Sequence, residues 1–200
     1  MKHVATKHYV GDVRPSQLLW THGVGSIIDL PHISTIVMGL DDWDTSKANE
    51  IHEERLLKAI QSILGRQVTA LRMPPIDELA TTYSTVGVPV AIFPRWLVCP
   101  FCHLLAPVHS GYFSLSADNR SPDKVQYRHI NCSKAKAPTA YPARFMIACE
   151  AGHLDDFPWH HFVHEGSECK SVLRLEEKGV TGEVSDIWIS CDTCQRAKTM

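Results

Sequence analysis

The sequence predicts an α+β fold, rich in short strands, cross-braced by knuckle elements and carrying at least one amphipathic helix. Three observations predict it. Three β-like runs each end in a pair of soft ligands. Trp96 to Val98 leads into Cys99-Pro100-Phe101-Cys102, Arg144 to Ile147 into Cys149 and His153, and Ile187 to Ile189 into Cys191 and Cys194. One stretch most clearly repeats its apolar residues at spacings of three and four. Elsewhere, prolines and short apolar runs favour extended chain.

The helix is predicted over residues 46–64. Ile51, Leu56, Leu57, Ile60, Ile63 and Leu64 form its stripe, with Asp44 to Ser46 as capping side chains and Gly65 as the stop. Before it, Ser26 to Leu30 and Ile33 to Leu40 read as two strands around Pro31-His32. Gly23-Val24-Gly25 permits a tight bend and lacks the further residues of a phosphate-binding loop. Prolines 74, 75, 89 and 94 place a boundary near Pro74, so residues 1–74 form a strand-and-helix segment and 75–200 a knuckle-containing region. That region is expected to continue beyond residue 200. Residues 114–142 read as a polar loop between knuckles.

A strand that ends in C-x2-C or C-x3-H aims two soft ligands at one locus, half of a tetrahedral zinc site of the zinc-ribbon kind. The chain has seven cysteines. With His153 they supply eight ligands, enough for two zinc ions: Cys99, Cys102, Cys132, Cys149, His153, Cys169, Cys191 and Cys194. Pairing Cys149 and His153 with Cys191 and Cys194 completes one set. Cys99, Cys102 and Cys132 then need a fourth ligand, with Cys169 preferred and His129 next. Spacing also permits a cross-braced mixture of these pairs.

Twenty basic against 22 acidic side chains leave a net charge of −2, which disfavours a free-standing nucleic-acid binder. No apolar run approaches the roughly 20 residues of a membrane span. The amino terminus shows no apolar signal-peptide core, so the expected compartment is the cytoplasm, where thiols stay reduced and cysteine pairs bind metal. The basic and aromatic stretch of Arg128, Lys134, Lys136 and Arg144, with Tyr127 and Tyr141, is the candidate nucleic-acid contact. Trp43, Phe157 and Trp159 are candidate docking aromatics, with core packing as their other role. His153, Asp155 and Asp156 with His160, His161 and His164 imitate a metallohydrolase lining, although knuckle spacing assigns His153 to a structural site. A stand-alone zinc-ribbon nucleic-acid-binding protein and a metallohydrolase are the alternative functions.

Arg14-Pro15-Ser16-Gln17, then Gly23-Val24-Gly25 and Ile27-Ile28-Asp29-Leu30-Pro31, resemble the opening signature of the DrmB family of the bacterial DISARM anti-phage system. Gly39-Leu40, Trp43 and the helix from Ile51 fit the same opening. The stretch from Pro142 through Cys149, Gly152-His153-Leu154-Asp155-Asp156 and Phe157-Pro158-Trp159 is similar to that family's central motif. The resemblance implies a non-catalytic scaffold or regulatory subunit that associates with a helicase-like ATPase, DrmA, and with phage DNA. It also implies a longer protein, of which these residues are an amino-terminal part.

Overall fold

The computed structural model describes residues 13–75, 86–117, 122–166, 169, 171–179 and 181–200. In chain order its helices and strands are α1 (Pro15–Trp20), β1 (Ile27–Asp29), β2 (Ser34–Val37), α2 (Glu54–Leu64), β3 (Val90–Ile92), β4 (Trp96–Val98), β5 (Leu104–Pro107), β6 (Phe113–Ser116), β7 (Gln126–His129), β8 (Thr139–Pro142), β9 (Met146–Ala148), β10 (Leu154–Asp156), α3 (Trp159–His164), β11 (Leu173–Glu177), β12 (Ile187–Cys191) and β13 (Ala197–Thr199). The fold is α+β and mostly sheet. Among the described residues an eight-stranded sheet runs β13-β12-β11-β5-β4-β8-β7-β6, accompanied by a β9–β10 ribbon and a sheet of order β1-β2-β3.

The chain packs as two units, one of Asp29–Thr35 and Ile92–Met200, the other of Ile36–Ala91 with the segment that ends at Ile28. Pro74 and Pro75 belong to the second unit.

In the first unit the large sheet is antiparallel throughout. Its central strands bury both faces. Along β4 and β5, Val98 and Leu105 face one core with Leu173, Leu175, Ile187, Ile189 and Cys191. Their neighbours Leu97, Leu104 and Ala106 face another with Phe113, Ala140, Cys99 and Cys102. Two-residue periodicity makes this division, since consecutive side chains leave a strand on opposite sides. Helix α3 closes the first core by inserting Trp159, which is 0% exposed, and Val163. Phe145, Phe157 and Trp159 meet edge-to-face or tilted at centroid distances of 4.7–6.4 Å.

Two expectations change. The segment 114–142 is not a loop between knuckles, because it builds β6, β7 and β8. Part of its polarity is a solvated row, Ser114↔Arg128↔Thr139, which alternates with the inward row Phe113↔His129, and the rest lies in the connections between the strands. The helix begins at Glu54 rather than near residue 46. Asp44 caps a short 3-10 turn over Thr45–Lys47 instead, its carboxylate accepting from Ser46 N–H at 3.1 Å. The chain then runs extended, with Ile51 N–H bonded to Leu71 O and Met73 N–H to Asn49 O. Glu53, accepting from Arg55 N–H, starts α2. Its stripe stays exposed at Leu56, Ile63 and Leu64. Gly25 adopts φ 80° in the expected bend, closed by Ser26 N–H to Gly23 O.

Candidate metal centres

The turns after β4 and β12 have the same construction. Cys99 N–H donates to Leu104 O at 2.9 Å, and His103 N–H returns to Cys99 O at 2.9 Å. Cys191 N–H donates to Arg196 O at 2.9 Å, and Gln195 N–H returns to Cys191 O at 3.2 Å. The residue after each second cysteine, His103 or Gln195, sits in the left-handed region at φ 62° and 57°. These contacts tighten each turn so that both sulfurs point to one side.

Two four-residue groups result, each with its ligand atoms within 4.8 Å of one another: Cys99, Cys102, His129 and Cys132, and His164, Cys169, Cys191 and Cys194. In the first, Cys99 Sγ lies 3.8 Å from Cys132 Sγ, and Cys102 Sγ lies 3.4 Å from His129 Nδ1. In the second, Cys169 Sγ lies 3.7 Å from Cys191 Sγ. Burial pushes the Cys102 thiol up to about 11 and pushes His129 down, Arg174 adding to the latter. Burial also opposes ionisation of Cys191, but hydrogen bonding, led by the backbone N–H of Cys194 and joined by that of Thr193, outweighs it and brings the thiol down to about 6. A bound cation removes the penalty on Cys102, because a coordinating thiol is deprotonated outright.

His164 tests whether the second group fits a metal. It is 1% exposed at the end of α3. Its Nδ1 lies 2.8 Å from His160 O, which fixes the proton there and leaves a lone pair on Nε2. That Nε2 is buried without a hydrogen-bond partner. A ring held by a backbone carbonyl at one nitrogen and aimed by the other at three cysteines is arranged as a metal ligand is.

Six of the eight expected ligands fall in these groups, but the expected grouping is corrected. Cys169 joins Cys191 and Cys194, not Cys99 and Cys102, and His129 takes the fourth place beside Cys132. Cys149 and His153 join neither. They face each other at 3.3 Å, Sγ to Nδ1, on the exposed tip of the β9–β10 ribbon. That turn is one residue shorter: Gly152, at φ 85°, returns its N–H to Cys149 O at 2.9 Å and so stands where His103 and Gln195 stand in the other two, with no second cysteine before it. Sequence reasoning did not assign His164 to a structural set, although the H-x4-C spacing to Cys169 mirrors the H-x2-C of His129 and Cys132.

The metallohydrolase lining does not converge. Among the described residues the only groupings of three or more metal-capable side chains are the two above. Arg95 engages Asp156 through its backbone N–H and Nε, both at 2.7 Å, and Asp155 through Nη2 at 2.6 Å. Arg95→Ala leaves the largely buried Asp156 carboxylate (11% exposed) without its guanidinium. A loss of about 1–2 kcal/mol in urea unfolding is expected, toward the lower end because Arg95 itself is half exposed.

The other candidate residues lie as follows. Arg128, Lys134 and Lys136 are exposed, and Arg144 is paired with Glu177. Trp159 is core and cannot dock a partner. Phe157 is half-buried against it, and Trp43 is half-buried with its Nε1–H on Met38 O at 3.0 Å. No helix among the described residues is long and apolar enough to cross a membrane.

Fold and site together define an antiparallel-sheet protein whose knuckle turns present two closed Cys3His sets able to hold metal ions. A family model described as a domain of unknown function, DUF8724, matches residues 14–200, and the chain belongs to that family. The chain is also similar to the DISARM protein DrmB of Bacillus paralicheniformis (strain ATCC 9945a / NCIMB 11709 / CD-2), at 24% identity over 180 residues. That match covers 86% of this chain and 28% of the relative, so the chain spans under a third of the relative's length.

Proposed function

We propose that this chain is a zinc-braced module of a DISARM-type anti-phage defence system, serving as a non-catalytic platform for a helicase-like ATPase and, through the complex, for phage DNA. The observation that supports it best is the closure of both ligand sets. Protein side chains fill all four positions of each, which suits a structural ion and leaves no open position for a substrate. Thiolate and imidazole in fours favour zinc, two ions per chain. The similarity to DrmB supplies the defence setting. Exposed Arg128, Lys134 and Lys136, all near the first set in sequence, are the residues offered to a nucleic-acid backbone.

The test is co-purification of the tagged chain, in its natural full-length form, with the helicase-like subunit encoded by the same system. Zinc is measured on the same sample. Zinc with the ATPase retained supports the proposal. Zinc without any ATPase, across salt concentrations, overturns the platform role while leaving the metal role standing. Salt-steep binding of DNA by the isolated chain favours the stand-alone nucleic-acid reader instead.

A further inference from the structure

The two ligand sets lie on opposite faces of the large sheet. Cys191 shares its face with Leu173, Leu105 and Val98 through the cross-strand pairs Leu173↔Cys191, Leu173↔Leu105 and Val98↔Leu105. Cys99 and Cys102 pack in the other core. One side chain reaches both turns. Arg174, in β11 between β5 and β12, alternates with Leu173 and so projects to the face of the first set. There its Nη1 donates to Cys102 O. Its Nε and Nη2 donate to Asp192 Oδ1 and Oδ2, each at 2.7 Å. Asp192 is the first residue inside the Cys191–Cys194 turn, and directly follows the ligand that points the other way. The backbone of β11 and of the residue before it is bonded to the same two turns, through Leu175 N–H to His103 O and Asp192 N–H to Val172 O.

We infer that Arg174 is a positioning residue that couples the two metal centres, so that loading one set favours loading of the other. The physical reason is shared order. Closing the first set fixes the Cys102 carbonyl and with it the guanidinium fork, whose planar bidentate geometry then holds Asp192 and the second turn. The second ion therefore finds a turn already ordered, and meets a smaller entropic cost. By linkage the effect is the same in either order of loading. The inference rests on the metal reading of these two sets and adds the coupling between them.

Native mass spectrometry of the full chain, loaded stepwise with cobalt alone, counts ion-free, one-ion and two-ion molecules directly. Independent sites leave about half or more of the chains with one ion at half-saturation, whereas a tenfold coupling between sites of equal affinity leaves about a quarter. The intact chain is expected near a quarter, and Arg174→Gln at half or above, with both reaching two ions in excess cobalt. Arg174→Lys keeps the charge without the fork and is expected to behave as the Gln variant. Arg95→Gln removes an arginine fork that touches neither turn, and is expected to match the intact chain. Should Arg174→Gln not reach two ions, Asp192→Asn, which loosens one end of the clamp, decides by the same measure. A chain that takes up no cobalt overturns the metal reading and the coupling together. Two ions bound with the same one-ion fraction in the intact protein and in Arg174→Gln, whatever that fraction is, overturns the Arg174 coupling alone.

Discussion

Cys169→Ser is expected to release one metal ion of two and to destabilise the protein by more than about 4 kcal/mol, whereas Cys149→Ser is expected to release none. Loss of a structural metal belongs to the small class of changes with effects of this size, because ion binding in such sites is itself folding free energy. The contrast follows from position. Cys169 Sγ sits 3.7 Å from Cys191 in a set that also holds buried His164. Among the described residues Cys149 pairs with His153, on an exposed ribbon tip. Metal analysis with urea unfolding of the loaded variants checks the size of the effect. The double variant Cys169→Ser/Cys194→Ser checks the grouping: it keeps one ion if the two cysteines share a centre and loses both if they do not.

Trp159→Ala is expected to cost about 3–5 kcal/mol, the range for removing a large aromatic from a core that cannot collapse onto the space. Trp159 is fully buried and touches Phe145 and Phe157, and α3 continues from it directly to His164. The substitution therefore loosens the element that delivers a ligand. It should also lower metal occupancy of the second set in chelator competition, with the first set less affected. Trp159→Phe, which keeps an aromatic anchor, should lose about half as much or less. A Trp159→Ala chain that unfolds like the parent yet fails to bind a partner would return Trp159 to the docking role that its burial argues against.

Much of the local chemistry was legible in the linear order of residues. The three strand-then-ligand units are where they were expected, since β-branched and aromatic runs ending in C-x2-C turns constrain only a few neighbouring residues. The end of α2 at Gly65 and the bend at Gly25 are equally local. The start of α2 was less so. Asp44 is a good cap in isolation, but backbone pairing of the following segment with Leu71 and Asn49 with Met73 takes that chain out of the helix. Strands β6 to β8 were hidden because a strand with one solvated face and a ligand on the other has little apolar signal.

The membership of each ligand set could not be read from spacing. Whether two half-sites meet depends on which strands are neighbours, and β11 sits between β5 and β12 through pairings separated by about 70 residues along the chain for the first and by a hairpin for the second. Cys149 and His153 keep knuckle spacing, yet they belong to a ribbon outside the large sheet, so the same local pattern reaches no second pair. His164, read from sequence as part of a hydrolase-like lining, became a ligand of a cysteine set only when α3 laid Trp159 and Val163 on the core and placed the imidazole beside Cys191. The sequence by itself determined that soft ligands would be gathered in tight turns at strand ends, because turn chemistry is short-range. Only the tertiary structure decided which side chains gather in each set and that Arg174 lies between the two turns, because strand order is settled by burial across the whole sheet.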